Sequence, residues 1–442
     1  MRVSRNKVTP RAGRAHPPAL RALAAVALAA TLTFTSACTG SGGAPTWQGG
    51  AEPEPSPKAQ ATISEPAADA AEVPTSTAIT FATTEAVETT VELTDAAGDP
   101  VAGEVNAAGT EFLPAGQLEY DAAYTATVTV TGDDGRTSTV SHDFRTMAQP
   151  QNQVRVSSFL GDGAVVGVGM PLIVRFSRNI PEDYRDDVQR RMSVQSTPVQ
   201  EGIWHWVSPT EVQYRPREFW QAGTELFYKV QAGGLPLGDG WYGRNDLTVQ
   251  AEIGAALVMT VDNATKKMVV TKDGQVVKQI PVSLGKPKTP SSSGTMVVME
   301  KFTETVFDTM EELGPEEGYR IDIEYAQRLT WGGEFIHAAP WSVGDQGVRN
   351  VSHGCVNMSM DNAKWLFNQT KVGDPITVKG TERKIAIGNG WTVWNLSWDD
   401  LVSSSVVPYE PPAAASPDDE DEDSTGSPDD GTGQSSSPDP QA

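Results

Sequence analysis

The sequence predicts a mainly β chain: two antiparallel β-sandwiches followed by a third β-rich domain with few helices. Three observations predict it. Between 74 and 253, short runs rich in Thr, Val and aromatic residues alternate with polar ones and are broken by Gly, Asp and Pro turn signals. Beyond 254 the same alternation continues, and helical spacing of apolar residues emerges convincingly only over Asp361–Asn368. The chain has 442 residues, 38% of them hydrophobic, with 11 tryptophans, enough for several cores.

Residues 1–37 have the form of an export signal. Arg2, Arg5, Lys7, Arg11, Arg14 and Arg21 come before any acid, and the apolar run Ala22–Phe34 is short for a membrane span. The run ends in Thr35-Ser36-Ala37-Cys38, which resembles a bacterial lipobox. In a lipobox the cysteine is lipidated and becomes the mature N-terminus. Thr35 departs from that pattern, which usually has an aliphatic there, and simple cleavage after Ala37 is the alternative. Residues 38–73, rich in Gly, Ala, Pro, Ser and Glu, are expected to be a disordered tether.

Residues 74–148 should form the first sandwich. Thr89–Leu93 precedes a turn at Gly98-Asp99-Pro100, and Tyr124–Thr131 and Thr137–Val140 flank the hairpin turn Gly132-Asp133-Asp134-Gly135. An immunoglobulin-like sandwich is the simplest arrangement of such strands. Residues 149–253 repeat it with Pro171–Phe176, Ile203–Val207, Val212–Pro216 and Leu226–Val230. Their tryptophans alternate with polar residues inside strands, so they are expected in a core and not as a carbohydrate platform. In 254–380, Leu257–Val261, Lys267–Thr271 and Gln275–Val282 are strands, and the helix at 361–368 has Asp361 or Ser359 as its cap. Residues 381–405 carry Trp391, Trp394 and Trp398, a spacing suited to docking on that third domain. Residues 406–442, rich in Pro, Ser, Gly and acids, are expected to be a disordered tail.

The net charge of −23 argues against nucleic acid as a partner, because phosphate binding needs clustered Lys and Arg. The histidines lack His-x-x-x-His spacing and no run of Asp or Glu falls in the third domain to mark a metal site, and no phosphate loop or dinucleotide fingerprint marks a cofactor. The two cysteines, Cys38 and Cys355, are too few for a disulfide framework. Cys355 lies in Ser352-His353-Gly354-Cys355-Val356-Asn357, and a second histidine, His337, lies upstream in Phe335–Trp341. An imidazole that takes a thiol's proton makes it a useful nucleophile. On these residues alone, a buried inert cysteine with structural histidines remains the alternative.

The motif narrows the choice. His337, fourteen residues (338–351), then Ser352-His353-Gly354-Cys355-Val356-Asn357 resembles the signature of the L,D-transpeptidase (YkuD-type) catalytic domain. Gly318-Tyr319-Arg320, Pro340–Gly344 and Gly347 resemble its actinobacterial branch, in which one or two immunoglobulin-like domains precede the catalytic domain on an exported, often lipid-anchored chain. The resemblance covers about residues 75–405. It implies a cysteine acyl-enzyme that forms 3→3 cross-links between peptidoglycan stem peptides, with Cys355 as nucleophile and His337 as proton acceptor and donor. It implies an oxyanion site from the amides of Gly354 and Cys355 and the Tyr319 hydroxyl, with the Ala338 carbonyl orienting His337. Tyr319, Gly332, Gly333, Asn357, Ser352 and Trp341 are expected at the substrate, and His353 is expected to shape the loop. Residues 300–320 are the candidate lid, with Phe307 where close relatives have Met. Further implications are lipidation of Cys38, a place on the outer face of the cell membrane in the cell-wall space, and covalent inhibition by carbapenem β-lactams.

The rival enzyme is an L,D-carboxypeptidase, which resolves the same acyl-enzyme with water. The rival outside enzymes is a non-catalytic cell-wall lipoprotein. An NlpC/P60-like peptidase would need a histidine after the cysteine, and none follows Cys355; a sortase would need an Arg soon after a Thr-Cys pair.

Overall fold

The computed structural model describes residues 56–411, apart from 309, 311–313, 315, 317 and 319. The export signal, Cys38 and residues 412–442 lie outside that set.

Alternation builds the first sandwich. In Ala123–Gly132, Tyr124, Ala126, Val128 and Val130 point into the core while threonines face out. Thr127 and Thr129 bond across to Ser141 (3.0 Å) and Thr139 (3.1 Å) on Thr137–Thr146. Those two strands join Ala70–Val73 and Ala86–Asp95 in one four-stranded sheet. The facing sheet holds Gln60–Glu65, Ile79–Thr84, Glu111–Pro114 and Gly103–Val105.

Gln60–Glu65 and Ala70–Val73 correct the tether expected over 38–73. Of these two strands only Ile63 and Val73 are buried, so their composition resembles a linker. Antiparallel pairing with Ile79–Thr84 and parallel pairing with Thr137–Thr146 make them strands.

The second sandwich packs Val156–Ser158, Leu172–Phe176, Glu211–Pro216 and Gly202–Ser208 against Ala164–Val166, Leu247–Ile253, Glu225–Val230 and Met192–Thr197. Its tryptophans are structural, as expected. Trp204 packs edge-on to Tyr214 at 5.3 Å, and Trp220 donates from Nε1 to the Met170 carbonyl at 2.8 Å.

The third domain has two sheets. Six strands run in the order Gln275–Pro281, Lys267–Lys272, Leu257–Asp262, Pro375–Lys379, Ser292–Val297 and Arg383–Lys384. Four more run Glu300–Asp308, Arg320–Arg328, Phe335–Ala338 and Val356–Met358. The helix Met360–Gln369 is capped by Ser359, whose side chain accepts from the Asn362 amide, which settles the choice between Ser359 and Asp361.

The second sandwich and third domain are fused. Val297, Met299 and Trp391 belong to the sandwich core. At the seam, the amides of Gly167 and Gly169 donate to the carbonyls of Val372 (2.8 Å) and Gly373 (2.9 Å). A Cβ on Gly167 would lie 2.2 Å from the Asp374 amide nitrogen and Oδ1. Gly167→Ala is therefore expected to destabilise the chain by about 3 kcal/mol, the scale of a forced backbone shift. Gly161→Ala is the control, because its Cβ meets nothing within 4 Å. Equal denaturation midpoints for the two variants would refute the close seam.

The tryptophan-bearing segment docks between the two domains and not on the third alone. Trp394 Nε1 donates to the Gly169 carbonyl at 2.7 Å, and Trp394 and Trp398 flank the Arg215 guanidinium at 4.8 and 5.7 Å. Arg215 itself donates to the Leu396 carbonyl at 3.0 Å. Docking continues past 405, correcting the start of the expected tail. Tyr409 stacks edge-on to Trp398 at 5.6 Å and donates its hydroxyl to Glu201. A single aromatic among prolines gives too little periodicity to read as structure.

Candidate active site

Parallel pairing of Phe335–Ala338 with Val356–Met358 assembles the site. Ile336 lies opposite Val356, His337 opposite Asn357, and Ala338 opposite Met358. Cys355 immediately precedes that second strand, so two motifs separated in sequence meet at one sheet end. Both strands are almost wholly buried and carry the short apolar runs expected of such a position.

A cavity of ≈460 Å³ opens there, lined by Cys355, His337, Asn357, Ser352, His353 and Trp341 among the expected residues. Phe307, Arg320, Ile321, Ile323, Ser342, Asp345 and Val351 complete the lining. Phe307 is buried, with its ring 5.3 Å from His337 edge-to-face and 4.6 Å from Phe335. It lies near the end of the antiparallel hairpin Glu300–Asp308/Arg320–Arg328, within the expected lid. Tyr319 falls outside the described residues.

His337 is 4% exposed, and its Nδ1 lies 2.8 Å from the Ala338 carbonyl. A carbonyl only accepts, so Nδ1 carries the proton and Nε2 the lone pair. Burial lowers the imidazole to about 4, against a smaller opposing effect of that hydrogen bond. Cys355 is 8% exposed. Burial pushes its thiol up to about 12; a backbone hydrogen bond at Phe335 opposes this, and the Glu334 charge adds to it. The resting site therefore holds a neutral thiol and a neutral imidazole near pH 7. The thiol donates to the Gly333 carbonyl at 3.8 Å.

The cysteine loop is held by its own polar groups. Gly354 has φ +133°, a region that favours glycine. Its amide donates to Ser352 Oγ at 3.1 Å, and that hydroxyl donates to the Cys355 carbonyl at 2.7 Å. The Gly354 amide is thus engaged inside the loop, a correction to its expected place among the oxyanion donors; the amide of Cys355 remains the loop's candidate. Ser291 Oγ donates to the Gly354 carbonyl at 2.7 Å, and the Lys286 amide to the Ser352 carbonyl at 2.9 Å. His353 Nε2 accepts from Lys286 Nζ at 2.8 Å.

The Gly332 amide donates to Asn389 Oδ1 at 2.8 Å, because the chain beyond Lys384 folds back over that turn. The Gly333 carbonyl is the one that faces the Cys355 thiol. Asn357 Nδ2 approaches Ser342 Oγ at 3.4 Å, while its Oδ1 is buried without a partner. An unsatisfied acceptor beside the cavity suits a ligand N–H or O–H.

Sequence reading missed Glu334 and Arg383. Glu334, 6% exposed, accepts from Ser292 N (2.9 Å), Ser292 Oγ (2.6 Å) and Arg383 Nη2 (2.6 Å). A lone acid before Phe335–Ala338 carries no sequence pattern that marks it as buried. Among the described residues, no group of His, Cys, Asp and Glu forms a metal site.

Residues 70–235 match the family model for a bacterial Ig domain, a single match that runs across both sandwiches. Residues 257–378 match the L,D-transpeptidase catalytic domain. L,D-transpeptidase 2 of Mycobacterium tuberculosis is 35% identical over 306 residues, covering 68% of this chain and 74% of that protein. L,D-transpeptidase 5 of the same species is 34% identical over 335 residues, covering 73% and 72%. A solved L,D-transpeptidase, LdtMt1 in complex with imipenem, shares 35% identity, with coverage of 52% and 100% and a TM-score of 0.46. The catalytic-domain match and the two relatives from Mycobacterium tuberculosis assign the chain to the L,D-transpeptidase family, as an enzyme of that activity.

Proposed function

We propose that the chain forms 3→3 cross-links in peptidoglycan through a thioester on Cys355. The observation that carries this is the placement of Cys355 and His337 in one cavity, with His337 Nδ1 tied to the Ala338 carbonyl so that Nε2 is the basic atom. Cys355 Sγ attacks the carbonyl between the third and fourth residues of a tetrapeptide stem, and its proton passes to His337 Nε2. The imidazolium returns that proton to the departing D-Ala amine as the peptide bond breaks. The side-chain amine of a diamino acid on a second stem then attacks the thioester, giving up a proton to His337 and restoring the thiol. Charge builds on the carbonyl oxygen in both steps, and a well-placed donor there is worth about 3 kcal/mol of barrier. The amide of Cys355 and the Tyr319 hydroxyl are the proposed donors.

Lipidation of Cys38 would hold this reaction at the outer face of the membrane, and the Cys355 thiol is the proposed target of carbapenems. Purified chain incubated with disaccharide-tetrapeptide should yield a cross-linked dimer one D-Ala lighter than two substrates, read by mass spectrometry. Tripeptide without dimer would replace transpeptidation by hydrolysis. Unchanged substrate would refute both.

A further inference from the structure

Glu334 stands out among the groups near the thiol. A buried carboxylate disfavours the thiolate, and burying it costs free energy unless it is fully hydrogen-bonded. The chain nevertheless places one here with three donors on it. A Cβ on Gly354 would lie 3.6 Å from Glu334 Cγ and 3.8 Å from Arg383 Nη2, so the pair borders the cysteine loop directly.

Its connections reach both sides of Cys355. The Glu334 amide donates to Thr330 Oγ1 at 3.0 Å and its carbonyl accepts from the Leu329 amide at 2.9 Å, closing the turn that presents the Gly333 carbonyl to the thiol. Its carboxylate grips Ser292, next to the Ser291 hydroxyl that holds the Gly354 carbonyl. Ser292 pairs with Arg383 in the six-stranded sheet, so the third donor arrives from the strand beside it. Arg383 is half-exposed while Glu334 is buried.

We propose that Glu334, held by Ser292 and Arg383, is a positioning residue that keeps the Cys355 thiol on the Gly333 carbonyl. This rests on the reading of Cys355 as nucleophile. The Glu334 charge adds to the burial that keeps the thiol protonated, and Arg383 is hydrogen-bonded to the carboxylate that carries that charge. The thiol then gives up its proton only when His337 takes it during attack, which leaves the cysteine of an exported enzyme less open to oxidation between turnovers.

The test is the rate of Cys355 alkylation by iodoacetamide, followed by intact mass over the alkaline limb where thiolate limits the reaction. Glu334→Gln keeps an amide oxygen for Ser292 and removes the charge, so alkylation should be about tenfold faster at a given pH, one unit of acidity. Arg383→Met, at a half-exposed position, leaves the carboxylate uncompensated and should slow alkylation, with Arg383→Lys restoring it. Both Glu334→Gln and Arg383→Met should lose acyl transfer mainly in kcat. Alkylation that matches the wild type in both variants overturns the proposal. Alkylation reports the thiol whether or not it is the nucleophile, so failure of the nucleophile reading shows separately, as acyl transfer surviving in Cys355→Ala.

Discussion

Cys355→Ala abolishes dimer formation and leaves a carbapenem unable to add its mass to the protein. The expected loss of turnover is at least about 10⁴-fold, the scale on which removing a covalent nucleophile acts when its partners remain. The thiol is the acylated atom in the proposed mechanism, and its alanine variant keeps the cavity, the base and the loop hydrogen bonds of Ser352. Truncating one small buried side chain costs about 1 kcal/mol, so a folded variant is expected. Intact mass after mixing with a carbapenem decides the matter. An adduct that persists in Cys355→Ala would assign the nucleophile elsewhere.

His337→Gln lowers acyl transfer by about 10²- to 10⁴-fold, the usual contribution of a positioned general base. The wild-type acid limb of kcat/KM should lie near pH 4, because burial lowers His337 to about 4. A limb near the ordinary histidine value would contradict the buried, neutral imidazole. Stability carries the same signature. The folded imidazole is depressed from 6.5 to about 4, so between those values the unfolded chain binds more protons than the folded one. Stability then rises with pH through that window, and the contribution of the neutral imidazole is lost as pH falls from 6.5 toward 4. The shift corresponds to about 3 kcal/mol, visible as the difference in pH dependence between wild type and His337→Gln. Parallel profiles for the two proteins would remove the buried-base account.

The strand-rich architecture was legible because half-buried strands alternate. Tyr124–Thr131 shows its inner and outer faces directly in the order of its residues. Gln60–Glu65 does not: with little apolar content it becomes a strand only because Ile79–Thr84 lies beside it. The pair Cys355 and His337 was legible through the motif, whereas Glu334 was not. A buried acid has no pattern of its own, and its partners Ser292 and Arg383 lie 42 and 49 residues away in the chain.

Local order and motif spacing by themselves determined the β character and singled out Cys355 and His337 as the candidate pair. Tertiary structure alone decided which amide stays engaged in the loop, which glycine of Gly332-Gly333 reaches the thiol, and that the second sandwich and the catalytic domain share a core through Trp391. The reason is physical. Side-chain alternation is a property of neighbouring residues, whereas hydrogen-bond partnership and burial depend on chain segments that only folding brings together.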